Sequence, residues 1–216
     1  MTPSSPARGQ FITFEGGEGA GKSTQIKRLA DALKKRSYDV VLTREPGGSP
    51  GAEAIRKLLV EGEPGRWDGI TETLLFAAAR RDHVERTIRP ALERGAWVLC
   101  DRFMDSTIAY QGYGAGVDLA LVRRLSTDAA GDIVPSLTLI LDLPVEAGLA
   151  RAVSRAGGED RFERKGAEFH ARLRDGFLAI ARTEPKRCVV IDATGTPDAV
   201  AEAISKTVSE RLNSAS

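Results

Sequence analysis

Along the chain, short apolar runs alternate with longer stretches in which apolar residues recur every third or fourth position. Five of the short runs read as strands: Phe11–Glu15, Asp39–Thr43, Ala96–Asp101, Leu137–Asp142 and Cys188–Asp192. Strands spaced by helix-period segments predict an α/β fold, a five-stranded parallel sheet flanked by helices. Four of the runs close on Glu or Asp, and the fifth on Thr43 followed by Arg44. Open parallel sheets bind ligands at the carboxyl ends of their strands, so these end residues bear on chemistry. The plainer alternative at any one strand is an Asp that caps the next helix.

The longer stretches show their buried faces. Val200, Ile204, Val208 and Leu212 form one stripe after Pro197, on a terminal helix. Phe162, Phe169, Leu173, Phe177 and Ile180 form a second, read as core packing rather than a ligand box. Leu121, Leu125 and Ala129 mark a third, opened by Asp118. Leu75, Ala79, Ile88 and Leu92 belong to a longer helical segment that Pro90 must kink or interrupt. No internal repeat and no linker divides the chain. Residues 1–9 read as a disordered polar tail and residues 10–216 as a single domain.

Composition narrows the class. The 216 residues are 42% hydrophobic and 28% charged, enough for one well-filled core. With 31 basic against 30 acidic residues the net charge is +1, which argues against nucleic acid or a membrane surface as partner. Any phosphate must be met by local clusters of Arg and Lys. Cys100 and Cys188 each sit in an apolar run and read as buried free thiols. No run reaches the roughly 18 apolar residues of a membrane span, and the first nine residues lack a signal peptide's apolar segment, so a cytoplasmic location is expected.

The strongest chemical signal is Gly16-Gly17-Glu18-Gly19-Ala20-Gly21-Lys22-Ser23, followed by Thr24. It matches G-x-x-x-x-G-K-[ST], follows an expected strand and precedes an expected helix carrying Ile26, Leu29 and Leu33. Glycines let the backbone curl so that successive N–H groups face phosphate oxygens, and the helix adds the positive end of its dipole. Lys22 is expected to reach the β- and γ-phosphates of ATP, and Ser23 to ligate Mg²⁺. Three weaker features follow. Asp101-Arg102 at the end of the third strand suits a Mg²⁺ ligand beside a phosphate clamp. Thr43-Arg44-Glu45-Pro46-Gly47-Gly48 places an Arg on a Gly-rich loop at the edge of the same cleft. Arg155 and Arg161, either side of Gly157-Gly158, suit a short Arg-containing lid over about residues 152–163. Taken singly, these are a surface ion pair, an ordinary turn and a solvated loop. Four phosphate-directed elements in one chain make a kinase the better reading.

These residues resemble the bacterial thymidylate kinases, over essentially the whole chain from about Gln10. The carriers are Phe14-Glu15-Gly16 running into Glu18-Gly19-Ala20-Gly21-Lys22, then Thr43-Arg44-Glu45-Pro46-Gly47-Gly48 and Leu75-Phe76-Ala77-Ala78-Ala79-Arg80. Asp101-Arg102-Phe103 and Ser106-Thr107-Ile108-Ala109-Tyr110-Gln111-Gly112 complete them. The resemblance implies a P-loop kinase fold and transfer of phosphate from Mg-ATP to dTMP. It implies that Phe76 stacks on thymine, Arg80 bonds a thymine carbonyl, and Thr107 and Gln111 complete the base edge beside Ser106. Tyr110 would crowd the 2′ position. Arg44 and Arg102 would hold the dTMP phosphate, with Glu18 near the sugar or the metal. Members without a basic residue at the variable P-loop position, here Glu18, Gly17 or Ala20, carry the catalytic arginine in the lid. Arg155 is the first candidate and Arg161 the second. Arg151 would pack on adenine with the Asp192-Ala193-Thr194 loop, and the family is typically homodimeric. Phe103 stands where Tyr or His is also common, and the lid is one residue longer than in a near relative. Two other functions fit the same phosphate cradle: a kinase for UMP or GMP, and a nucleotide-dependent switch ATPase. The chain has no Asn-Lys-x-Asp segment of the kind that reads guanine in GTPases.

Overall fold

The computed structural model describes residues 9–63, 65–153, 162 and 165–212. Its strands are β1 (Phe11–Glu15), β2 (Val40–Arg44), β3 (Trp97–Asp101), β4 (Leu137–Asp142) and β5 (Cys188–Asp192). They form one parallel sheet in the order β2-β3-β1-β4-β5. The expected second strand moves one residue onward because Arg44 pairs with Asp101 in the ladder. The expected third strand starts one residue late, since Ala96 N–H turns back to Ala91 O at 3.0 Å. The helices are α1 (Lys22–Lys35), α2 (Pro50–Val60), α3 (Gly69–His83), α4 (Arg89–Glu93) and α5 (Met104–Thr107). After them come α6 (Leu119–Ala130), α7 (Val145–Val153), α8 (Ala167–Thr183) and α9 (Pro197–Leu212). From β1 the chain winds outward to one edge of the sheet through β2, returns to β3, and then crosses β1 to build β4 and β5 on the other side. The loops after β1 and β3 therefore part around a crevice, which is where such sheets take ligands.

The two-residue period of the strands decides what reaches that crevice. Ile12 and Phe14 of β1, with Trp97 and Leu99 of β3, pack in one cluster with Leu29 and Leu33 of α1 and Val200, Ile204 and Val208 of α9. Phe11 turns to the opposite face with Val98 and Cys100. Thr13 and Glu15 share Phe11's parity, so a carboxylate ends up on that inner face, fully buried. Asp101 has the parity of Leu99 and is carried toward the start of α1.

The helical stripes fare unevenly. The α9 stripe packs as expected, with Leu212 partly buried at its end. On α6, Asp118 caps the helix by accepting from Leu121 N–H at 3.0 Å. The buried face is nevertheless Val122, Ser126, Ala129 and Ala130, and Leu121 and Leu125 flank it half-exposed. Small side chains allow α6 to approach α3 and α5 closely, which turns the leucines aside. Phe169, Leu173, Phe177 and Ile180 are core as expected. Phe162 packs against that cluster as expected, partly buried, and in addition lines the cleft. It precedes α8, and its ring edges onto the cleft 5.6 Å from the Tyr110 ring centroid. The interruption expected at Pro90 takes the form of one wide i→i+5 segment, Val84–Ile88, after which Pro90 opens α4 within its first turn. Residues 1–8 of the expected tail lie outside the described residues. Gly9, its last residue, donates to Leu92 O at 3.0 Å.

One polar cluster lies under the sheet's inner face. Arg187 meets the fully buried Asp105 with two bonds of 2.6 and 2.9 Å and donates to Thr138 Oγ1 at 2.7 Å. Thr138 in turn meets Thr13 Oγ1 at 2.8 Å. The pair ties the start of β5 to the short helix that follows β3. Removing one partner strands a buried charge, so Asp105→Ala is expected to cost about 3–5 kcal/mol of unfolding free energy. Urea titration of both proteins measures it, and a change within experimental error contradicts the assignment.

Candidate active site

Between β1 and α1 the backbone takes the curl that the glycines allow. Gly16, Gly19 and Gly21 have φ of 125°, 69° and 86°. A Cβ on Gly16 would stand 2.3 Å from Leu141 O, and one on Gly19 2.0 Å from Gly148 O, so neither position admits a side chain. Lys22 folds back over the loop, only 7% exposed, and donates to Gly16 O at 3.1 Å and Gly17 O at 2.8 Å. Burial, with the nearby Arg102 guanidinium adding to it, lowers the Lys22 ammonium to about 8. Ser23 donates to Asp101 Oδ2 at 3.0 Å. This sets a hydroxyl and a carboxylate side by side on the open side of the loop. Two hard oxygen donors with room for water and phosphate fit Mg²⁺, which binds through few protein ligands. Thr24 is exposed one residue further on.

Arg102 joins the same loop from the opposite side. Its backbone is left-handed, at φ 70°, a conformation costing a non-glycine residue roughly 1–2 kcal/mol. That turn sends Nη1 to Gly16 O at 2.9 Å and Ser106 Oγ at 3.1 Å, and Nη2 to Glu18 Oε1 at 2.9 Å. The guanidinium carbon lies 4.9 Å over the Tyr110 ring. Tyr110 O–H also donates to Glu18 Oε1. Burial alone would raise the Glu18 carboxyl, but Arg102, Lys22 and the Tyr110 hydroxyl together bring it down to about 2. Burial opposes the charge on Arg102 as well, and its acidic neighbours more than restore it.

Behind Arg102 stands Glu15. It accepts from Phe103 N–H at 2.8 Å and Ser106 O–H at 2.5 Å, and so holds the turn that points Arg102 inward. Burial, reinforced by Asp105, pushes its carboxyl up to about 8. Glu15 was quoted above only as part of a motif. Its strand parity and its place just before the loop were the signals for this role.

A cavity of about 300 Å³ opens beside this cluster, lined by Glu18, Ser23, Arg44, Asp101 and Arg102 at one end. Phe76, Arg80, Ser106, Thr107, Tyr110 and Gln111 line the other. Arg44 is held at its rim by Glu53, at 3.2 and 3.3 Å, and the same carboxylate accepts from Gly48 N–H at 2.9 Å. Phe76 is half-exposed, outside the buried core, and its ring centroid lies 6.1 Å from that of Phe162. Arg80 is 1% exposed. Its Nε donates to Glu45 Oε2 at 2.9 Å and its Nη2 to Thr107 Oγ1 at 2.9 Å. Glu45 is braced from behind by His83 Nδ1 at 3.1 Å, and His83 Nε2 by Thr43 Oγ1 at 2.6 Å. Gln111 donates through Nε2 to Glu72 Oε2 at 3.2 Å. Arg80 Nη1 and Gln111 Oε1 are buried and have no partner among the described residues. Glu45, Pro46, Arg56, Val60, Phe103 and Phe162 also line the cavity, and the sequence reading gave them no site role, nor Glu72 and His83, which stand behind the wall. Arg151 reaches Ala193 O at 3.4 Å, which brings together the two segments expected around adenine. Arg155 and Arg161 lie outside the described residues, as does most of the expected lid.

Known proteins bear on this arrangement. The sequence profile of the thymidylate kinase family matches residues 14–204. The thymidylate kinase of Caulobacter vibrioides is 64% identical over 205 residues, covering 95% of this chain and 98% of that protein. The thymidylate kinase of Bradyrhizobium sp. (strain ORS 278) is 57% identical, covering 96% and 92%. The crystal structure of thymidylate kinase from Ehrlichia chaffeensis superposes with a TM-score of 0.75 at 40% identity, covering 93% of this chain and 99% of that one.

Glu15 binds its proton more tightly in the folded chain than at the ordinary value of 4.5. Its contribution to stability is therefore complete below 4.5 and is lost as pH rises to about 8. Glu15→Gln, neutral at every pH, should gain stability relative to the parent across that interval. Urea titrations at roughly pH 5 and pH 8 read the difference, and parallel pH dependence in the two proteins contradicts it.

Proposed function

The chain belongs to the thymidylate kinase family, and on that premise we propose that dTMP and ATP meet phosphate to phosphate in this cleft to give dTDP and ADP. The observation that carries the choice of base is a pair of unpartnered buried atoms on residues that line the pocket. Arg80 Nη1 is a donor and Gln111 Oε1 an acceptor. Thymine offers the complement along one edge, a carbonyl O4 that accepts and an N3–H that donates. Phe76 supplies the ring face on which the base stacks, and Thr107 and Ser106 lie on the same wall. The Tyr110 hydroxyl, fixed on Glu18, crowds the 2′ position and leaves Glu18 toward the sugar.

An oxygen of the dTMP phosphate attacks the γ-phosphorus of ATP in line, and the bond from that phosphorus to the β-bridging oxygen breaks. No general base is needed, because a phosphate monoester is already anionic near neutral pH. The protein positions both phosphates and offsets the charge spread over the equatorial oxygens. Lys22 exchanges the carbonyls of Gly16 and Gly17 for β- and γ-oxygens, alongside the amides of Gly17, Gly19, Ala20, Gly21, Ser23 and Thr24. Arg102 and Arg44 take the acceptor phosphate, Arg44 leaving Glu53 to do so. Ser23 and Asp101 would hold Mg²⁺, which supplies Lewis-acid neutralisation of the phosphate oxygens. Arg151 lies on the adenine side. Arg155 is proposed as the transition-state arginine and Arg161 as its second candidate, on the strength of the family resemblance and the absence of a basic residue at Gly17, Glu18 and Ala20.

The same proposal includes a homodimer and a cytoplasmic location. Ile70 and Leu74 on α3 stay 51% and 50% exposed, and Leu58 on α2 39%, an apolar surface suited to a second copy. Cys100 and Cys188 are free thiols. Among the described residues no helix is long and apolar enough to cross a membrane.

Coupled assay of ADP release over dTMP, dUMP, dCMP, UMP and GMP tests the substrate. The expected order puts dTMP first, and a preference for another monophosphate, or ATP hydrolysis indifferent to all of them, overturns it. Arg102→Ala should lower kcat by about 10²–10³-fold or more, and Arg155→Ala by about 10³–10⁵-fold. An Arg155→Ala protein of parental kcat passes that role to Arg161. Sedimentation equilibrium should return twice the 23.2 kDa of the chain, and a monomer at micromolar concentration contradicts the dimer.

A further inference from the structure

Gln111 carries an amide whose two ends are nearly the same size but opposite in hydrogen-bonding sense. Which end faces the pocket decides which pyrimidine edge it reads. Nothing in Gln111 itself fixes that choice. Glu72 fixes it. This side chain, 2% exposed in the first turn of α3, sets Oε2 3.2 Å from Gln111 Nε2. A carboxylate has no proton to give, so it accepts only from the NH₂ end. The carbonyl end is thereby left for whatever occupies the cavity. Lys165 Nζ stands 3.9 Å from the same Oε2 and over the rings of Phe162 and Phe169, a cation that favours the charged carboxylate.

We propose that Glu72 is a positioning residue that determines specificity between keto and amino pyrimidines, by locking Gln111 with its oxygen toward N3 of the base. The assignment rests on the pocket being a dTMP site. Cytosine presents an acceptor at N3 and an NH₂ at C4, so it meets acceptor against acceptor at Gln111 and donor against donor at Arg80. An amide in place of the Glu72 carboxylate has a donor of its own. It releases Gln111 to turn its NH₂ toward cytosine N3 and removes one of the two mismatches. The Arg80 mismatch remains, braced by Glu45.

Glu72→Gln tests this with near-constant shape. The ratio of kcat/KM for dCMP to that for dTMP should rise about tenfold or more, the scale of one buried unpaired polar atom. The ratio of dUMP to dTMP, which share the same edge, should stay at its parental value, and KM for ATP likewise. A merely loosened pocket moves dUMP and dCMP together, and that outcome overturns the assignment, as does an unchanged dCMP ratio. Gln111→Leu gives a second reading if Glu72→Gln does not fold. It removes the reader, so discrimination against dCMP should fall, and retained discrimination overturns the proposal. A parent enzyme that does not prefer dTMP to dCMP refutes the substrate reading instead, independently of Glu72.

Discussion

One carbonyl oxygen, that of Gly16, accepts from both Lys22 and Arg102, at 3.1 and 2.9 Å. Two cations brought to a single acceptor in a dry cleft repel each other, and the rest of the centre is arranged around that repulsion. Glu18 answers it directly from Arg102's other nitrogen. Burial takes the opposite course with Glu15, whose carboxyl rises to about 8, so that a group close behind Arg102 binds by hydrogen bonding more than by charge. The left-handed turn at Arg102 is the geometric counterpart. It is costly for arginine, and it persists because Phe14 O and the Glu15 carboxylate take up the donors of residues 102, 103 and 106. Each cation thus rests on protein oxygens, whose places phosphate oxygens would take in the proposed reaction. The two cations are thereby held in place with their charge met by protein oxygens.

The phosphate side of this design was legible in the sequence because its rules are local. Glycine spacing, a strand before and a helix after identify the loop, and strand parity delivers Asp101 to Ser23 and Glu15 to Phe103 and Ser106. The strands were legible for the same reason, with errors of one residue where a single backbone bond chose the end, at Ala96 and Arg44. What escaped was set by tertiary neighbours. The face that α6 buries follows from close approach by Ser126, Ala129 and Ala130, not from where its leucines fall. Phe162 fits the period of a core stripe, yet it lies before the helix that carries that stripe and turns to the cleft. Glu72 and His83 are polar residues outside any motif, and Glu45 was read only as part of its Gly-rich loop. Their meaning appears only when α3 packs against the loop after β2 and the segment carrying Gln111.

That last group bears on how the proposed site would select a base. Stacking on Phe76 is available to any pyrimidine, so it contributes affinity without choice. In the proposed reading choice comes from Arg80 and Gln111, and each of these donates to a buried carboxylate. Glu45 consumes Nε of Arg80 and leaves Nη1 bare, while Glu72 consumes Nε2 of Gln111 and leaves Oε1 bare. Two polar atoms left unpaired in a buried wall are destabilising, and a base that matched both would relieve that cost. A base that matches neither leaves the cost in place and adds the desolvation of its own edge. Rejection of the wrong partner therefore exceeds what hydrogen bonds to the right one contribute in water. On the proposed reading, the discriminating energy sits in the polarity imposed on the two reading atoms, by Glu45 within the cavity wall and by Glu72 behind it.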